Sequence, residues 1–239
     1  MRALDRGILV LFPAVLLIRL GATDDHLLYV KGSMGRWLVL SGSVLLVLAF
    51  SQLRIAIRQR GNRAEPTADT ESHSHRENWI SYLLVLPALA VFVVPLAPLG
   101  SYAVAGQSSR QLPEPVDTTY PPPPEPTNGA IDLTLSEFTY RVNYDDDRQL
   151  EGEPVRLTGF VADPTGEDFL LTRFALSCCA ADGLPVQVRV QGVAPPEDSW
   201  VTVVGTWVPA AEDPEADVPM PEMLAESVTP IDQPREPYE

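Results

Sequence analysis

The sequence predicts a chain of two dissimilar parts: an α-helical membrane part with three spanning helices, then a small all-β domain preceded by one helix. Three observations predict this fold class. The first 105 residues contain three long apolar runs, and a proline-rich stretch follows them. From residue 130 onward, short runs of alternating apolar and polar side chains are separated by turn residues, which is typical of antiparallel strands.

The parts also differ in charge. Residues 1–105 hold ten basic and seven acidic side chains, whereas residues 106–239 hold seven basic and twenty-five acidic ones. Nucleic-acid binding requires clustered Lys and Arg, so the acidic part excludes a nucleic-acid partner. The predicted boundaries are a transmembrane domain over residues 1–106, a linker over residues 107–129 and an acidic β domain over residues 130–239.

Each spanning helix is predicted from an uncharged run, because about 20 apolar residues are needed to cross the hydrocarbon layer. Residues 79–106 and 37–53 carry no charge, and Gly42 lies between two serines, where small side chains permit close helix packing. Residues 7–18 form a shorter run, for which a cleaved signal peptide is the alternative. The predicted helices cover residues of about 7–22, 37–57 and 79–105.

The arginines predict the orientation in the membrane. Between the second and third helices, or at the end of the second, lie Arg54, Arg58, Arg60, Arg63 and Arg76. The loop between the first and second helices carries only two basic residues. Since basic loops stay in the cytoplasm, we expect a multi-pass protein of the cell membrane, in contact with lipid, with its N-terminus inside and its β domain outside.

The linker and the β domain follow from composition and period. Residues 112–129 are rich in proline and predict an extended polyproline II spacer that holds the domain away from the bilayer. Next, Ile131, Leu135, Phe138 and Val142 recur at helical spacing and predict one amphipathic helix. Five strands are then predicted over residues 154–163, 167–177, 184–192, 199–208 and 224–231. An OB-like five-strand barrel is the expected closure, since a barrel leaves no exposed edges.

The chain's two cysteines, Cys178 and Cys179, are adjacent, and Asp182 follows them. Three interpretations stay open: packing as small apolar residues, a strained vicinal disulfide, or thiolate coordination of a metal such as Zn²⁺ or Cu⁺. Consecutive side chains of a regular strand point to opposite faces, so both sulfurs reach one ion only if "CCAADG" is a turn. Asp182 would then add an oxygen ligand.

His73 and His75 form a second candidate for weak Zn or Cu binding, on a loop predicted to be cytoplasmic. A solvated polar loop is the alternative interpretation. The histidines and the cysteines are predicted on opposite sides of the membrane, so they cannot share one ion.

Five stretches carry a family resemblance: "HSHRENWISYLLVLPALAVFVVPLAPLG", "VRLTGFVADP", "LLTRFALSCCAADGLPVQVRV", "WVTVVGTWVP" and "PREPYE". Together they resemble the YcgQ-like family of membrane proteins. The resemblance covers most of the chain and includes the CC-x-x-D core. It implies a subunit of a two-component permease that associates with a larger, multi-spanning partner.

The sequence contains no GxSxG, Walker or HExxH motif and no histidine after residue 75, so we do not expect an enzyme. Glu137, Asp145, Asp146 and Asp147 are interpreted as solvated charges at a helix end. The leading hypothesis is an accessory subunit of a membrane permease whose outer domain captures a cationic solute, such as a transition metal. The alternatives are an envelope scaffold with packed cysteines and a thiol-based redox protein.

Overall fold

The computed structural model describes residues 3–61, 97–105, 120–209 and 219–239. Its chain divides into two compact units, Met1–Ala97 and Pro98–Glu239. In the first unit, helix α1 (Ala3–Ala22) and helix α2 (Gly35–Gly61) are joined by two short 3-10 helices, Asp24–Leu28 and Gly32–Met34.

Small residues form the contact between α1 and α2. They recur at every seventh position, and a seven-residue spacing keeps them on one helix face. On α1 these are Gly7, Ala14 and Gly21, and on α2 they are Gly35, Gly42, Ala49 and Ala56. A β-carbon on Gly42 would lie 2.9 Å from the carbonyl oxygen of Ala14 and 2.8 Å from Ile18 Cγ1. The prediction that Gly42 permits close helix packing is therefore confirmed.

Among the described residues, one helix is long and apolar enough to cross a membrane, and it covers Gly32–Arg58. The apolar part of α1, Leu9–Ala22, is shorter than a span requires. Of the three predicted spanning helices, only the second is a candidate for crossing the membrane among the described residues. Residues 79–96, most of the third predicted helix, lie outside the described residues.

The second unit contains the β domain. Its helices are α3 (Ser101–Ala105) and α4 (Leu135–Tyr144), with one 3-10 helix, Ala180–Asp182. Its strands are β1 (Ile131–Asp132), β2 (Pro154–Ala162), β3 (Asp168–Ala175), β4 (Leu184–Gln191), β5 (Trp200–Val208) and β6 (Glu222–Pro230). The order β2-β3-β4-β6-β5 closes through a β2–β5 pairing, with β4 and β6 parallel. The predicted OB-like five-strand barrel is confirmed, and β1 adds a sixth strand beside β2.

Two apolar clusters occupy opposite faces of the barrel wall. Alternate residues of β2, such as Val155 and Leu157, point into the interior core. Side chains from each of the other four barrel strands join them there. Side chains that point to the opposite face of the strands, Phe160 and Phe174, form a second cluster with Trp200. The ring centroids of Trp200 and Phe160 are 5.8 Å apart in an edge-to-face arrangement. The barrel therefore carries an apolar patch on its outer surface.

Helix α4 begins four residues later than the spacing of Ile131 suggests. Ile131 belongs to β1 and pairs with Val155 of β2, so it is unavailable to a helix. The Thr134 hydroxyl accepts the Glu137 N–H at 3.0 Å and thereby caps α4. The Glu239 carboxylate completes the cap by accepting the N–H groups of Leu135 and Ser136 at 2.8 and 2.9 Å. These three hydrogen bonds fix the start of α4 at Leu135, where the local sequence alone would extend the helix toward Ile131.

Residues 98–105, which we call the strap, cover the outer apolar patch. Leu99, Ala103 and Val104 pack against Phe160 and Trp200. The prediction of one helix reaching residue 105 is wrong here, because residues 97–100 are not helical and α3 is a separate short helix. Pro98 and Gly100 are poor helix formers, and the Asp198 carboxylate accepts the Ser101 N–H at 2.8 Å.

Two residues near the middle of the predicted linker, Tyr120 and Pro121, contact helix α4. The buried Arg141 donates to the Pro121 carbonyl at 2.9 Å, and its guanidinium lies 5.5 Å from the centre of the Tyr120 ring. Arg141 is held in turn by Glu137, at 2.9 Å. Residues 120 and 121 are therefore docked on α4, within the stretch that composition assigned to a free spacer.

Candidate metal centre

The candidate site lies in the connection between β3 and β4, residues 176–183. Ala175 and Leu184 are paired across the two strands, so the connection begins and ends at one point of the barrel wall. Leu176 is buried, and its N–H donates to the Glu239 carbonyl at 2.9 Å. Gly183 is buried at the other end. Both ends of the connection are fixed, and its middle projects into solvent.

Asp182 organises the middle of the connection. Its carboxylate accepts the N–H groups of Ser177 at 2.9 Å, Cys178 at 2.9 Å and Cys179 at 3.2 Å. Its own N–H donates to the Cys179 carbonyl at 3.0 Å, which closes the short 3-10 helix Ala180–Asp182. "CCAADG" therefore turns back on itself, as convergence of the two sulfurs requires.

The two sulfurs lie on one side of this turn. Cys178 Sγ and Cys179 Sγ are 3.7 Å apart and both thiols are free, since a disulfide would place them about 2.05 Å apart. Two thiolates bound to one tetrahedral Zn²⁺, each at about 2.3 Å, are separated by about 3.8 Å. The observed separation, which is that of a thiol–thiol hydrogen bond, is close to the separation that two ligands of one ion would have.

The thiol of Cys178 donates to Asp182 Oδ2 at 2.8 Å. This hydrogen bond is the main reason, and the contact with Cys179 the second, that the pKa of Cys178 rises to about 12. The same bond, with the three backbone N–H groups, lowers the pKa of Asp182 to about 2. At neutral pH the turn thus holds a thiol against a carboxylate, and a metal ion bound here would have to displace the thiol proton.

The donor set fits a soft or borderline metal. Cys178, Cys179 and Asp182 each offer one ligand atom, and these atoms lie within 4.8 Å of one another. Two sulfurs disfavour Mg²⁺ and Ca²⁺, which prefer oxygen, and suit Zn²⁺ or Cu⁺. Cys178 is exposed, so packing does not explain its position. Three donors leave room for a fourth ligand from water, a cargo molecule or a partner.

The other predicted residues have different outcomes. His73 and His75 lie outside the described residues. Asp145 is not solvated: it is buried, and its carboxylate accepts the side-chain amide of Gln149 at 3.2 Å and the N–H of Asp147 at 3.1 Å. It stabilises the turn after α4.

Sequence reasoning missed two residues that frame the site. Glu239 supports Leu176, and Leu99 packs against Gly183. Leu99 was assigned to a membrane helix because residues 79–106 carry no charge. The Pro98 and Gly100 that flank Leu99 were the available signal that the helix ends before it.

Comparison with known proteins gives a family and no individual relative. No curated protein and no solved structure shows significant similarity to the chain. Two family models match, the DUF1980 N-terminal domain over residues 6–109 and the DUF1980 C-terminal domain over residues 126–239. The N-terminal model includes the strap, which the structure joins to the barrel unit. Since the two models together cover most of the sequence, the chain belongs to the DUF1980 family.

Proposed function

We propose that this protein is an accessory subunit of a membrane permease, and that its barrel domain captures a transition-metal ion for a multi-spanning partner. The observation that carries the proposal is the cluster of Cys178, Cys179 and Asp182. It combines two soft sulfurs and one carboxylate on an exposed turn, with the sulfurs at the separation of two tetrahedral ligands. A three-donor site at the surface is suited to an ion that must be passed on.

The surface charge supports the same role. Residues 106–239 carry twenty-five acidic and seven basic side chains, which raises the local concentration of cations around the domain. In this proposal the domain lies outside the cytoplasm, where it meets the ion first. Three hydrophobic segments hold the chain in the membrane in this proposal.

The outward face of α2 supports association within the membrane. Large apolar side chains on this face are exposed among the described residues, and they include Trp37, Leu40, Val44, Val47, Phe50 and Ile57. The small-residue face of α2 is already occupied by α1. Lipid and a helix of the partner permease are the proposed neighbours of the remaining face.

The test is metal uptake by the full chain, purified in detergent micelles with a reductant. Zn²⁺ and Cu⁺ are titrated in competition with a chelator, for the wild type and for Cys178→Ser, Cys179→Ser and Asp182→Asn. We expect one tightly bound ion per chain and at least about a 100-fold weaker affinity in each cysteine variant. Glu197→Gln is the matched control, because it removes an exposed carboxylate elsewhere on the domain.

Equal uptake by the wild type and by the double variant Cys178→Ser/Cys179→Ser would mean that the many surface carboxylates, and not the cysteines, bind the metal. The capture function would then be wrong, and a scaffold would be the better interpretation. Loss in Glu197→Gln as large as in Asp182→Asn would likewise contradict a specific site.

A further inference from the structure

The candidate metal centre and the strap meet at one buried contact. A β-carbon on Gly183 would lie 3.0 Å from Leu176 Cδ2 and 3.3 Å from Leu99 Cδ1, so Gly183 is packed against both leucines without free space. Gly183 directly follows the ligand Asp182. The last residue of the metal-binding turn thus touches the strap.

A second contact fixes Leu99 to the chain that supports the turn. The Leu99 N–H donates to the Tyr238 hydroxyl at 3.0 Å. Tyr238 forms a parallel bridge with Phe174 of β3, and the next residue, Glu239, accepts the Leu176 N–H through its carbonyl. Leu99 is therefore connected to the turn at both ends, through Gly183 and through Leu176.

Metal binding changes the dimensions of the turn. Cys178 Sγ and Asp182 Oδ2 are 2.8 Å apart while they share a proton. A sulfur at about 2.3 Å and an oxygen at about 2.1 Å from one tetrahedral Zn²⁺ are separated by about 3.6 Å. When the ion enters, the thiol protons leave to solvent and this pair separates by about 0.8 Å. The sulfur–sulfur distance already fits, so the change falls on Asp182 and on Gly183 behind it.

We propose that occupancy of the Cys178–Cys179–Asp182 centre loosens the strap through the Gly183–Leu99 contact. This inference rests on the proposed metal capture. The strap directly follows the third hydrophobic segment in the chain, so its release carries the state of the outer site toward the membrane. Such a link is reciprocal: the factor by which bound metal favours the loosened strap is also the factor by which the loosened strap binds the metal more tightly.

The experiment measures both directions on the full chain in detergent micelles. Amide hydrogen exchange of peptides covering residues 98–105 is followed with and without saturating Zn²⁺, with the barrel strand β5 as an internal reference. Zinc affinity is then measured for Leu99→Ala and Tyr238→Phe. Tyr102→Ala is the matched control, because Tyr102 lies in the strap with 74% of its side chain exposed.

We expect faster exchange in the strap when Zn²⁺ is bound and no change in β5. Leu99→Ala should bind Zn²⁺ about fivefold more tightly or better, Tyr238→Phe should change in the same direction, and Tyr102→Ala should not change. Tyr238→Phe keeps the aromatic ring and removes only the hydroxyl that accepts the Leu99 N–H. It therefore tests the link even if Leu99→Ala fails to fold.

The other outcomes separate the two proposals. If the wild type binds Zn²⁺ but the strap exchanges at an unchanged rate and all variants bind equally, the link is wrong and metal capture stands. If the wild type binds no Zn²⁺, metal capture is wrong and the link falls with it.

Discussion

Asp182 determines the conformation of the turn that carries Cys178 and Cys179. Its carboxylate accepts three backbone N–H groups and one thiol, so the negative charge is held by four donors. One of its oxygens, Oδ2, also sets where the Cys178 sulfur lies, because Cys178 donates to it through both its N–H and its thiol. A single side chain therefore acts as the organiser of the turn and as a candidate ligand.

We predict that Asp182 titrates near pH 2, because the thiol of Cys178 and three N–H groups stabilise its ionised form. The folded-state pKa lies below the value of about 3.9 expected in an unfolded chain. Its contribution to stability is thus present above about pH 4 and is lost as the pH falls toward 2. Carboxyl carbon chemical shifts measured by NMR against pH report this titration.

The variant Cys178→Ala is the informative comparison for that titration. It removes the thiol, which is the largest cause of the lowered pKa, and leaves the backbone N–H groups. We expect the pKa of Asp182 to rise toward its ordinary value. An unchanged midpoint in this variant would show that the backbone alone holds the charge.

How far the sequence predicts the site can be seen in single residues. The turn at "CCAADG" is a local property, since Cys178, Asp182 and the bonds between them lie within five residues. Leu99 and Tyr238 are 139 positions apart, and no periodicity or spacing relates them. The turn that brings the candidate ligands together was therefore predictable, whereas the residues that pack behind it could be found only from the fold.

At the level of elements, the helix pair α1–α2 is built on a regular close approach. Gly7 faces Ala49, Gly42 faces Ala14 and Gly21 faces Gly35, so successive contacts are seven residues apart on antiparallel helices. The absence of large side chains lets the two backbones come together. The seven-residue repeat of small side chains is visible in the sequence, but hydropathy alone does not reveal it.

We predict that Gly42→Leu separates α1 from α2. The first added carbon would already lie 2.8 Å from Ile18 Cγ1 and 2.9 Å from the Ala14 carbonyl oxygen. Overpacking of this kind costs about 1–3 kcal/mol, so the midpoint of thermal unfolding in detergent micelles should fall. Val44→Leu is the control, because Val44 lies on the same helix with 54% of its side chain exposed.

An equal midpoint in Gly42→Leu and Val44→Leu would contradict a packed helix pair. Gly42→Ala gives a graded check, since it adds only the first carbon and should have a smaller effect of the same sign.

The strands were predictable and the start of α4 was not, for a physical reason. Alternation has period two, and each predicted strand matches an observed one to within a few residues. Ile131 fits a helical spacing with Leu135 and Phe138, but its backbone is paired with β2. Pairing with a distant strand decides its conformation, and local spacing contains no record of that strand.

For the whole molecule, the unit that folds together is larger than the β domain that composition suggests. The strap buries Val104 and partly buries Leu99 against Phe160, Phe174 and Trp200. A five-strand barrel alone would leave this patch to solvent. The boundary of the unit therefore lies at Pro98, about thirty residues before the predicted start of the domain.

We predict that a fragment of residues 98–239 is more stable than one of residues 120–239. Removing the strap exposes apolar surface equivalent to about two large apolar side chains. The free energy of unfolding should therefore fall by about 3 kcal/mol. Urea unfolding followed by tryptophan fluorescence reports it, since Trp200 lies in the patch. The control is Tyr102→Ala in the longer fragment, which should change stability by less than about 0.5 kcal/mol.

Equal stability of the two fragments would mean that the strap merely rests on the barrel. In that case the proposed link between the metal centre and the strap would lose its structural basis as well.

The strap also changes what the proline-rich stretch can do. Ala105 and Tyr120 both belong to the barrel unit, so the two ends of the sequence between them are fixed to one body. Inserting or deleting residues between those two ends should cost little stability, because the entropy of closing a chain between fixed ends grows only slowly with length. It does not alter the number of residues between the barrel and the third hydrophobic segment. The length of the proline run therefore does not determine how much chain separates the barrel unit from that hydrophobic segment.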